Sequence, residues 1–249
     1  MEAINAIEGG NIYFFYRQNI REDFPESGAD IQHFFMVMSP HDQRLYRLAV
    51  LGKKTGEEGE ASERIWGMIS KVTSVAEQVE SEMDPRKYVT KSRGERQLKS
   101  SRLCGEGLYR IVKHVNHTHL AYCLELPENP DEIVQQLPLE REASYILRIR
   151  NPAKPSPKTL GLENMFLPDY PARLENMFGE RRFIDADPPE FMDYEGTGIM
   201  LVSAVYEHIN SGLELERSEE ENASADILNQ LRYDLGQTHL EPLIRGRWR

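Results

Sequence analysis

Cysteine is almost absent from this 249-residue chain, which holds only Cys104 and Cys123. Two thiols are too few for the disulfide framework that staples small secreted domains. Long apolar runs are absent too: no stretch approaches the roughly 20 residues needed to span a bilayer. The start, Met1-Glu2-Ala3-Ile4-Asn5, lacks the basic cluster and apolar core of a signal peptide. These absences imply a soluble cytoplasmic protein with no membrane partner. Asn116-His117-Thr118 and Asn222-Ala223-Ser224 then read as coincidental glycosylation patterns.

Catalytic signatures are missing as well. Neither glycine-rich phosphate loop occurs, nor His-Glu-x-x-His, nor Cys-x-x-Cys. The glycine frames Gly105-Glu106-Gly107 and Gly196-Thr197-Gly198 hold no Ser or Cys nucleophile. No cofactor is expected. Positive charge is in short supply, with 30 Lys and Arg against 41 Asp and Glu, a net charge of -11. Such a field repels polyanions at long range and disfavours indiscriminate binding to nucleic acid.

What is present is an apparent internal duplication. Leu45 to Val50, Arg64 to Ile69, a helix from Ser74 and Tyr88 to Lys91 form one series. Leu108 to Lys113, His119 to Leu124, a helix from Asn129 and Tyr145 to Arg148 form a second. Both read hairpin, helix, strand. The fold expected is α+β: two fused copies of this unit, about 31–94 and 105–151, with a mainly antiparallel sheet. Residues 1–151 form that domain, 152–158 a proline-rich linker, and 159–249 an irregular wrapping segment.

Local signals fill in the elements. Ile12 to Tyr16 and Phe34 to Met38 are short aromatic and β-branched runs bounded by turn residues, as buried strands are. Lys53 to Glu63 has no apolar anchor and reads as a loop. Ser74 with Glu77 forms a capping box, and Asn129, Pro130 and Glu132 supply a second start signal. A two-residue turn at Asn116-His117 would pair His114 with His119, Ile111 with Tyr122 and Tyr109 with Leu124. Tyr109, Ile111, Leu120, Tyr122, Leu124 and Leu126 then share an apolar face. Arg110, His114, His119, Cys123 and Glu125 share the other with Val112 and Ala121. Beyond the linker, Ile199 to Val205 is apolar, and the spacing of Ile227, Leu228, Leu231 and Leu235 predicts an amphipathic helix.

One charge reversal stands out. Between Asp84 and Val115, nine Lys or Arg face three acids. Lys91, Arg93, Arg96, Lys99 and Arg102 recur every two or three residues, a spacing that presents several donors to phosphates or to an acidic partner. The reading this supports is a non-enzymatic binding or regulatory protein that recognises a protein partner through this basic connection. Nucleic acid, through residues 86–113, is the alternative occupant. His114, His117 and His119 are the only grouping with metal-like spacing. Cys123 lies about 13 Å along the strand from His119, too far to complete the set. The runner-up reading, ahead of nucleic acid, is a hydrolase, metal-assisted or not, using His114, His119 and Glu125. Cys104, beside Arg102, reads as an ordinary strand thiol, and Trp66 as a core anchor.

Overall fold

The structure is a computed structural model that describes residues 5–18, 31–52, 64–90, 94–114, 117–127, 139–155, 166–203, 225 and 227–235. The expected loop 53–63 and the helix from Asn129 lie outside the described residues.

Eight strands close into an antiparallel barrel. β1 (Asn5–Gln18), β2 (Ile31–Pro40), β3 (Tyr46–Leu51) and β4 (Arg64–Thr73) form a meander. The chain then crosses through helix α1 (Ala76–Met83) and a separate ribbon, β5 (Arg86–Thr90) with β6 (Gly94–Leu98). It re-enters the barrel on the far side of β1 as β7 (Arg102–Lys113), β8 (Thr118–Leu126) and β9 (Glu142–Arg150). Helix α2 (Ala172–Phe178), strand β10 (Phe183–Asp185) and a 3-10 turn (Pro189–Asp193) lead to β11 (Gly198–Ser203). β11 pairs with β4 on one side and β9 on the other, and with the β8–β9 pairing this closes the ring. No helix among the described residues is long and apolar enough to cross a membrane.

This overturns the duplicated α+β reading. The two series do share a hairpin, but their third strands part company: β9 joins the barrel, whereas β5 leaves it to pair with β6 alone. Local similarity of pattern did not extend to the partner each strand finds. The capping box is unused, because α1 starts at Ala76 behind Val75 without a side-chain cap. Thr73 serves instead, its hydroxyl accepting the Val75 N–H at 3.1 Å and donating to Gln78 at 2.7 Å. The helix from Asn129 lies outside the described residues.

An eight-stranded barrel is just wide enough to be filled by its own side chains. One apolar cluster takes a residue from every strand of the ring, among them Ile12, Met36, Ala49, Ile65, Tyr109, Leu120, Leu147 and Ile199. α2 and the 3-10 turn plug one end, where Phe191 meets Tyr170 and Phe178 edge to face at 5.5 and 5.3 Å and Tyr170 packs tilted against Phe178 at 5.7 Å. The outer surface carries three further clusters. α1 sets Val79 and Met83 against Tyr13, Phe15, Phe35, Val37 and Leu48. A third helix, α3 (227–235), lays Ile227 and Leu231 over Leu108, Val112, Ala121 and Cys123. Trp66 is no core anchor of a repeat; it lies half-buried on the outside beside Phe183, 5.6 Å between rings.

Candidate functional site

The basic connection becomes a two-stranded ribbon standing apart from the barrel sheet. β5 and β6 pair with each other in a sheet separate from the barrel, placing Arg86 opposite Leu98, Lys87 opposite Gln97 and Tyr88 opposite Arg96. Lys91 and Arg93 lie outside the described residues. Lys99 follows the ribbon and is half-buried, and Arg102 is exposed at the first position of β7. Arg17 roots the ribbon. Its side chain is buried (5% exposed) over the Phe35 ring at 5.3 Å. From there its Nε donates to Ser101 Oγ at 3.2 Å, and Nη2 to the Glu82 carbonyl at 3.0 Å at the end of α1. A cation at a helix C-terminus is favourably placed, since the last carbonyls carry partial negative charge. The Ser101 N–H also donates to the Met83 carbonyl, 2.9 Å.

The three histidines do meet, though in a different register from the two-residue turn. β7 and β8 pair Ile111 with Leu120, Tyr109 with Tyr122 and Val112 with His119, so the connection is a four-residue turn, 114–117. The His114 N–H closes it on the His117 carbonyl at 2.8 Å. The imidazole rings of His114, His117 and His119 lie 4.6–5.5 Å apart, centroid to centroid. His117 Nε2 and His119 Nε2 face each other at 2.7 Å, and His119 Nδ1 sits 3.2 Å from Ser144 Oγ. As they stand, no three His, Cys, Asp or Glu side chains among the described residues are arranged to hold a metal ion. Glu125 is six positions along β8 from His119, about 20 Å at strand rise, so it does not join the histidines.

Comparison with known protein families, curated proteins and solved structures finds no match to this chain.

Several polar groups went unnoticed in the sequence. Arg47 is fully enclosed in the barrel, where its guanidinium donates twice to Glu8, at 2.6 and 2.9 Å, and once to Asp193 at 2.6 Å. The Tyr109 hydroxyl donates to the same Glu8 at 2.8 Å. Burial opposes the Arg47 charge, but the bonds and charge of Glu8, with Asp193, outweigh it and hold the guanidinium protonated. Burial pushes the Asp193 carboxyl up despite Arg47. This network is a filler of the barrel end rather than an exposed catalytic pair. It borders a cavity of about 400 Å³ between the His41–Asp42 turn, Gly9, Arg110 and α3. Glu106 is buried, and its Oε2 has no hydrogen-bond partner among the described residues. Burial, and then the charge of Glu125, push its carboxyl up to about 7.

The cysteines are quiet. Cys104 is buried with Sγ 3.3 Å from the Phe14 carbonyl. Burial, with the neighbouring Glu142 charge, pushes the Cys123 thiol up to about 11, the opposite of what a nucleophile needs.

Proposed function

We propose that this protein is a non-enzymatic recognition module whose barrel holds out a basic ribbon to an acidic protein partner. The observation that carries the reading is the separation of β5–β6 from the barrel sheet, together with its anchorage through Arg17. β5 and β6 form a two-stranded sheet of their own instead of extending the barrel sheet, and the local excess of Lys and Arg defines the charge this ribbon offers. The barrel interior supports the same reading. It is occupied by its own side chains, and so favours recognition on the outer surface over a ligand held inside. A folded root limits the ordering cost that a flexible basic loop would incur on binding.

The test is charge reversal of Arg93, Arg96, Lys99 and Arg102 to glutamate, compared with the unaltered protein in partner capture from host lysate. The expected result is loss of a stoichiometric, nuclease-resistant protein with the melting temperature unchanged. Retention of the same partner by the reversed protein would refute the reading. Capture abolished by nuclease would transfer the ribbon to nucleic acid, whose affinity falls steeply with salt.

A further inference from the structure

We propose that His114, His117 and His119 form a binding site for a divalent transition-metal ion of the zinc, copper or nickel class. Three of the chain's seven histidines converge at this single turn. Imidazole suits these metals, and three imidazoles with an open fourth position is an established zinc arrangement.

The strongest observation is the meeting of His117 Nε2 and His119 Nε2 at 2.7 Å. Two ring nitrogens this close share one proton, so one of them directs a lone pair into the gap between the rings. His119 is fully buried, and its other nitrogen lies 3.2 Å from Ser144 Oγ. A ligating histidine characteristically donates its second N–H to such a partner, which fixes ring orientation and leaves the opposite nitrogen free to ligate. With Nδ1–H of His119 directed at Ser144, Nε2 carries the lone pair and the shared proton belongs to His117. Metal binding requires His117 to shift to its Nδ1–H tautomer, with no net proton released. Two nitrogens bound tetrahedrally to one zinc ion lie about 3.3 Å apart. The pair must therefore open slightly while His114, half-buried at the turn, rotates toward the gap. That requirement explains why no metal-ready trio exists in the metal-free arrangement.

The neighbouring carboxylates do not compete as ligands. Asp187 pairs with Lys113 at 2.5 Å, on the strand residue preceding His114, and Asp185 pairs with Arg148, so each acid is balanced by its own cation. The site is independent of the basic ribbon, so either proposal can fail alone.

The experiment uses tag-free full-length protein and the metal alone: calorimetric titration with Zn²⁺, and Co²⁺ substitution read by its ligand-field absorption. One ion per chain is expected, with a higher melting temperature in excess Zn²⁺. His114→Gln and His117→Gln should each weaken binding at least about tenfold, and Ser144→Ala about 10- to 100-fold. Metal-free melting temperatures of the variants verify that they fold; His114→Gln is the decisive variant if loss of His117 lowers that temperature. Absence of saturable binding, or binding unchanged in His114→Gln, would overturn the assignment.

Discussion

Arg47 occupies a position where an alternating strand would ordinarily place an apolar side chain, and its enclosure is tolerable only because Glu8 and Asp193 surround it. Removing one partner of a buried charge network leaves the others uncompensated, which costs more than the network itself contributes. Arg47→Met is expected to lower stability by about 3–5 kcal/mol, measured as the midpoint and slope of urea unfolding. A loss below about 1 kcal/mol would mean that the carboxylates find water or protons instead. Glu106 works in the opposite direction. Its carboxyl is pushed up to about 7, so the folded chain holds a proton that the unfolded chain has released. Stability is then greatest below the unfolded carboxylate range near ~4.3 and declines as pH rises toward 7. Glu106→Gln removes that decline and should stabilise the protein at pH 8 by about 1–3 kcal/mol. Thermal unfolding of both proteins from pH 5 to 8 checks it; parallel curves would exclude Glu106 as the source.

At the level of elements, the parts of the fold that follow a local period were legible. Alternation assigned Tyr109, Ile111, Leu120, Tyr122 and Leu124 to one face, and these line the barrel interior. The register was displaced by two residues, because the turn takes four residues rather than two. An even displacement leaves every side chain on its own face, which is why the face survived the error. The helix carrying Ile227 and Leu231 was legible from its three- and four-residue spacing, but not its berth on β7 and β8. Two ion pairs fasten it there: Arg110 with Asp234, and Arg232 with Glu142, whose carboxyl Arg232 holds below its ordinary range despite burial. Cys123 lies beneath this helix, 3% exposed. Ile227→Ala combined with Leu231→Ala should loosen the helix while leaving the barrel folded. In a Cys104→Ala background, alkylation of Cys123 is then expected to accelerate at least about tenfold, since each lost core contact weakens docking. An unchanged rate would show that the barrel, and not α3, protects the thiol.

At the scale of the whole molecule, what stayed hidden was every feature set by distant partners. Arg47 meets Glu8 across 39 positions and Asp193 across 146, and nothing near Arg47 in the chain announces either. The histidine trio was visible as a spacing because its members are neighbours, whereas the contribution of Ser144 came from another strand. Barrel closure is the largest such case. The two meanders β1–β4 and β7–β9 meet directly at β1 and β7, but on the other side the gap between β4 and β9 is filled by β11 alone. A chain ending at residue 158 lacks β11, the Tyr170–Phe191 plug and Asp193. It would expose the paired edges of β4 and β9 and leave Arg47 with only Glu8 inside an open cylinder. Two unpaired edges flanking an apolar interior favour association over folding. Such a fragment should therefore lose its cooperative thermal transition and its near-ultraviolet dichroism while keeping much of its strand signal. Supplying residues 159–249 as a separate chain should restore the transition if closure is the missing step. A sharp transition in the fragment alone would show that β4 and β9 can pair directly, with β11 an insertion into a barrel already able to close.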